Sequence, residues 1–113
     1  MRDDRLEKQR LKQQIEASRF AENNGAVVRV INILAGNWIR MASIQSALPE
    51  MDMGDFLESI TYLQKAGYIE IMYNSAQQLI EADKADPKKC DVAFTAKGMS
   101  LAKYAISDPA VLV

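Results

Sequence analysis

The chain has 113 residues, 49% of them apolar and 26% charged, with a formal net charge of −1. That is one domain's worth of chain with room for its own core, and it lacks the basic excess that would mark a nucleic-acid binder by charge alone. The single cysteine, Cys90, excludes an internal disulfide, and the absence of histidine removes the commonest general base and zinc ligand. No apolar run approaches the ~20 residues that span a bilayer. The charged opening "MRDDRLEKQR" lacks a signal-peptide stretch, so the expected location is the cytoplasm, away from membranes.

Residues 2–22 are dense in Lys, Arg, Glu, Gln and Leu and contain no Gly or Pro, which predicts a helix. Asp4 and Lys8 stand four apart in the favourable acid-first order. The apolar residues form no single stripe: Leu6, Ala17 and Phe20 share one side, whereas Leu11 and Ile15 point nearly the other way. Two readings stand: a solvated helix, or a dimerisation arm using both faces. "ENNG" at 22–25 is expected to break this helix.

"AVVRVINILAG" is rich in β-branched residues, but Val27, Ile31, Leu34 and Ala35 make a helical stripe that favours a buried helix ending at Gly36. "NWIR" reads as an extended link with Trp38 as a core anchor, and "ASIQSALPE" as a short helix ended by Pro49. A helix over 53–66 should follow, with Asp52 as N-cap and Phe56, Leu57, Ile60 and Leu63 on one face. Gly67 stops it in the left-handed conformation, and "YIEIMY" continues as an alternating strand. A long polar connection over 74–89, with a helical turn expected over 76–82, leads to the strand "CDVAFT". Thr95 then caps a final helix, "AKGMSLAKYAI", before the apolar tail "DPAVLV".

The order of elements, together with "LQKAGYIEI" and "FTAKGMSLA", resembles the winged helix-turn-helix regulators of bacteria and phages, broadly the MarR-like and PadR-like families. The first stretch is similar to their "L-x-x-x-G-[YLF]-[IV]" helix-to-strand exit, and the second to the "LT-x-x-G" opening of their last helix. The likeness covers about residues 26–106, and the size and apolar tail are similar to small prophage-encoded members. It implies a mostly α fold with a two- or three-stranded β-wing and an extra N-terminal helix. The domains implied are a charged helix at 1–24, a winged-helix domain at 25–107 and a tail at 108–113.

The resemblance also implies a homodimer that binds double-stranded DNA to regulate transcription. The helix over 53–66 would be the recognition helix, with Thr61, Tyr62 and Lys65 in the major groove. Arg40 and Gln45 would lie near phosphates, and Lys84, Lys88 and Lys89 on the wing flank. Candidate dimer residues are Leu6, Leu11, Ile15 and Phe20 in the first helix and Leu101 and Tyr104 in the last. Charge pulls against this: between Asn37 and Gly67 the cations Arg40 and Lys65 face Glu50, Asp52, Asp55 and Glu58. The wing lysines, and Arg2, Arg5, Lys8, Arg10, Lys12 and Arg19 of the first helix, offer compensation, although loop lysines more often serve only to solvate a surface.

No catalytic set emerges. Cys90, Ser43 and Ser46 lack a base, and helix capping explains Asp52 and Asp55. Asp83 and Asp86 lack calcium-loop spacing, and no phosphate loop or dinucleotide fingerprint is present. No enzymatic activity, cofactor or metal is expected. Beside the DNA reading stands a second, a winged-helix scaffold that binds protein through its acidic helix face.

Overall fold

The computed structural model describes residues 4–113; Arg2, counted above among the cations of the first helix, lies outside them. Helix α1 (Asp4–Leu34) leads into strand β1 (Ile39–Arg40), helix α2 (Met41–Ser46) and helix α3 (Met53–Lys65). Strand β2 (Ile69–Tyr73), the short strand β3 (Gln78–Leu79), a 3-10 turn (Ala82–Lys84), strand β4 (Cys90–Phe94) and helix α4 (Ala96–Ala102) follow. The architecture is α+β, with one antiparallel sheet in the order β1-β4-β2-β3. The sheet thus has four strands where two or three were expected.

Local signals set several boundaries. The Asp52 side chain accepts a hydrogen bond from the Asp55 amide at 2.7 Å and starts α3. Gly67 takes φ +85° and lets the chain leave α3 and enter β2. The Thr95 hydroxyl accepts from the Gly98 amide at 3.1 Å and starts α4. One row of the sheet, Ile39, Val92 and Ile71, is set by register and buried. It joins Val27, Val28 and Ile31 of α1, Met41 and Ile44 of α2, Phe56, Ile60 and Leu63 of α3 and Leu101 of α4 in one core.

The expected break at 22–25 does not occur: α1 runs through it as a single helix of 31 residues. The reason is tertiary. The C-terminal segment 108–113 lies across α1 at Gly25, where an added Cβ would come within 1.7 Å of the Leu112 carbonyl oxygen. The Leu112 amide donates to the Ala21 carbonyl at 3.0 Å, Asn24 Nδ2 donates to the Ala110 carbonyl at 2.9 Å and Arg29 donates to the Leu112 carbonyl at 2.8 Å. Val111 of this strap is buried. Asn24 and Gly25 are therefore a docking site in mid-helix rather than a stop. The left-handed residue at the true end of α1 is Ala35, one residue before Gly36.

Other expectations change for similar reasons. Trp38 is 39% exposed, and Ile39, paired with Val92, fills the core instead. The turn expected over 76–82 is replaced by β3, which pairs with the end of β2 and covers part of its edge, and by the 3-10 turn. Gln64 holds this insertion against α3: its Nε2 donates to the Ile80 carbonyl and its Oε1 accepts from the Ala82 amide. Helix α4 ends at Ala102 rather than continuing to Ile106, and Tyr104 turns out with φ +64°. No helix among the described residues is long and apolar enough to cross a membrane.

Residues 4–19 of α1 are exposed on every side. At a rise of about 1.5 Å per residue they form an arm roughly 24 Å long, which accounts for a long axis of 61 Å against 30 and 23 Å.

Replacing Gly25 by Ala separates two effects of opposite sign. Helix propensity alone would stabilise α1 by about 1 kcal/mol. The clash with the Leu112 backbone instead lifts the strap, and we expect a net loss of about 1–3 kcal/mol in urea unfolding, with faster amide exchange at Leu112.

Candidate functional site

The outer surface of α2, α3 and the β2–β4 connection holds most of the candidate DNA-contacting residues. On α3, Gly54, Thr61 and Lys65 recur at helical spacing on the outward side, and exposed Glu58 sits at its edge, where it also lines a notch toward α1. Asp55 and Tyr62, seven residues apart, turn toward α1 instead. Asp55 pairs with Arg19 of the arm at 2.5 Å, and the Tyr62 ring meets Phe20 edge-on with centroids 5.2 Å apart. Thr61 Oγ1 donates to the Leu57 carbonyl at 2.7 Å, and Gln45 Nε2 donates to Met53 Sδ at 3.5 Å. Lys65 is exposed at the last turn of α3.

Arg40, Lys88 and Lys89 are gathered at one end of the sheet. Arg40 ends β1 opposite Asp91 of β4 and immediately precedes α2. The Asp86 side chain accepts from the Lys88 amide at 3.0 Å, its carbonyl accepts from the Lys89 amide at 2.9 Å, and this tight turn presents both lysines to solvent. The Ala42 amide, in the first turn of α2, donates to the Pro87 carbonyl at 3.1 Å and fixes the turn beside α2. Lys84 lies apart, in the 3-10 turn, by a groove between α3 and the inserted strand that is also lined by Gln64, Ile69 and Leu79.

The candidate dimer residues divide. Leu6, Leu11 and Ile15 are 50%, 57% and 59% exposed, and Tyr104 is exposed as well. Phe20 packs half-buried against Tyr62. Leu101 lies inside the chain's own core, so it is not on a surface that a second chain would meet.

Sequence reading missed the polar centre that fixes Tyr62. Asp108 Oδ2 accepts from the hydroxyls of Tyr62 at 2.6 Å and Tyr68 at 2.7 Å, and its Oδ1 accepts from the Ala110 amide at 2.8 Å. Lys97 stands over the Tyr68 ring, 5.0 Å from its centroid. Burial pushes the Asp108 carboxyl up, but these three hydrogen bonds and the Lys97 charge outweigh it and hold the group below its ordinary value. The Tyr62 hydroxyl is pushed up to about 12, first by its bond to Asp108 and then by burial. Tyr68 is also pushed up to about 12, with burial first and the Asp108 bond second. The separation of 46 positions from Tyr62 to Asp108 leaves no spacing signal that could have linked them. Cys90 is buried at the start of β4, and burial raises its thiol pKa, which suits packing rather than reactivity.

Comparison of the chain with protein-family models, with curated proteins and with solved structures finds no match.

The signs of these shifts give the pH dependence. Asp108 is lowered, so its contribution to stability is present above the ordinary carboxyl pKa and is lost as pH falls through the lowered folded value. The tyrosines are raised, so theirs is present below pH 10 and is lost as pH rises toward about 12. In Asp108→Asn, phenolate absorbance during alkaline titration should show Tyr62 returning close to its ordinary value and Tyr68 only part of the way. Unchanged titration of both would remove the carboxylate from the account.

Proposed function

We propose that this chain is a winged helix-turn-helix protein that acts as a dimer and binds double-stranded DNA as a regulator, in the cytoplasm and without catalysis. The supporting arrangement is the order of the elements: α2 and α3 joined by a short turn, then β2 and β4 as wing strands, with β1 as a third strand beside β4. In such an arrangement α3 faces the major groove, and the start of α2 and the wing flank it over the phosphates.

The observation that carries the reading is the cationic group at Arg40, Lys88 and Lys89, drawn together by the β1–β4 pairing and by the Ala42–Pro87 hydrogen bond. It lies on the flank where a phosphate backbone would pass, with Lys65 at the last turn of α3. The outward face of α3 is poor for base reading. Glu58 repels phosphate, Tyr62 is committed to Asp108, and Thr61 already donates to a backbone carbonyl. Affinity in this reading comes mainly from the backbone and is steeply salt-dependent.

A second reading has its own support. Asp52, Asp55 and Glu58 cluster on the N-terminal half of α3, and only Asp55 among them pairs with Arg19. An acidic helix face of this kind suits a basic protein partner better than DNA.

Titration of a mixed-sequence fluorescent duplex discriminates the two. The DNA reading predicts binding at low salt that falls steeply as salt rises, and a loss of about tenfold or more for Lys88→Glu/Lys89→Glu that is equal across sequences. No binding at micromolar protein in low salt would overturn it in favour of the protein partner.

A further inference from the structure

One face of the α1 arm is basic toward its tip and charge-balanced toward the body. Arg5, Lys8 and Lys12 recur at i, i+3 and i+7 on the exposed helix, and Glu16, Arg19 and Asn23 continue the same face toward the body. At the body end this face borders a notch of about 220 Å³ between α1 and α3, lined among others by Glu16, Phe20, Asp55, Glu58 and Ser59. Three carboxylates meet there with one guanidinium, that of Arg19, which is bonded to Asp55. The notch is therefore net negative.

Ser59 adds an independent sign of a missing partner. It is 1% exposed, and its Oγ makes no hydrogen bond. A buried hydroxyl left in this state costs free energy that a donor entering the notch would recover. The carboxylates do not gather into a metal-binding group among the described residues. The chemistry that fits is a cationic side chain with N–H donors, running past the half-buried ring of Phe20.

Arg19 and Lys12 already meet Asp55 and Glu16 within the chain, but Lys8 cannot reach the notch. Because α1 is one unbroken helix, Lys8 stays about 12 Å along the axis from Glu16. A second copy running antiparallel along α1 would bring its Lys12 to Glu16 and its Lys8, one turn further on, to Asp55 and Glu58. The two-fold axis repeats both contacts in reverse, so a single patch serves both partners, as an isologous interface requires. Ile15, 59% exposed, lies near that axis. Lys12 already sits 3.9 Å from Glu16 of its own chain, but both side chains are exposed, so exchanging this loose pair for the interchain one costs little.

Resting on the dimer reading given above, we propose that the notch between α1 and α3 receives the basic face of α1 from a second copy of this chain, in an antiparallel pair of arms. Hydrophobic burial is small, so the pairing is electrostatic and salt-sensitive.

Charge exchange tests it by sedimentation velocity on the full chain. Wild type should be dimeric at about 0.05 M salt and shift toward monomer near 1 M. Lys8→Glu/Lys12→Glu and Glu16→Lys/Glu58→Lys should each weaken self-association by about tenfold or more, because each places like charges at the Lys12–Glu16 and Lys8–Glu58 contacts. An equimolar mixture should recover the dimer, since each arm again meets a notch of opposite sign. The altered side chains are exposed or lie on the rim, and circular dichroism checks that helicity is kept. A wild-type dimer indifferent to both reversals, or a mixture that fails to recover, would overturn the arm-to-notch pairing while leaving another dimer possible. A wild type that stays monomeric in low salt would overturn both this pairing and the dimer reading, while the duplex titration reports separately on DNA.

Discussion

The C-terminal strap crosses α1 at Gly25, and that crossing fixes how the long helix sits on the body. At that point two backbones approach too closely for any side chain, and hydrogen bonds from Leu112, Asn24 and Arg29 hold them there. Asp108 secures the near end of the strap to Tyr62 of α3 and to Tyr68 at the entry to β2. One short segment thereby ties α1 to the consecutive elements α3 and β2. It keeps α1 continuous through residues that would otherwise favour a stop, and it sets the direction in which the arm leaves the body. The Arg19–Asp55 pair and the Phe20–Tyr62 contact follow from that direction.

The same packing decides which chemistry α3 offers outward. Tyr62 is drawn in to serve the strap, and Asp55 is turned to the arm. Glu58, Thr61 and Lys65 remain on the face that a major groove would meet. A surface of that composition has little to read bases with, and the cations lie to the side, at Arg40, Lys88 and Lys89. Counterion release scales with the phosphates neutralised, so such a layout favours contact with the backbone over discrimination among sequences. In the proposed DNA reading, the acidic half of α3 and the arm would be left for protein contacts.

How much of this was legible in the sequence depended on the range of the interaction responsible. Asp52, Gly67 and Thr95 act within three or four residues of themselves, and each boundary they imply is present in the structure. Gly25 carries the same letter as Gly67 but serves a contact with Leu112, far along the chain, and nothing local distinguishes the two cases. Trp38 and Ile39 were exchanged as core residues because strand register, which decides the matter, depends on a partner more than fifty residues away. The inserted strand β3 escaped notice because Gln78 and Leu79 are too few to show alternation. At the candidate site the individual cations were visible, but the hydrogen bonds that gather three of them, and the Asp108 centre that removes Tyr62, are tertiary.

The continuity of α1 is the claim most directly open to test, since the arm, the notch and their proposed pairing all assume it. Backbone NMR of the full chain would give Cα shifts and amide exchange rates for residues 22–26. Helical shifts are expected throughout, with protection at Gly25 and Ala26 as strong as at Val27 and Val28. Random-coil shifts with rapid exchange over the same residues would show two helices joined by a hinge, and would contradict the strap as the element that orders the fold.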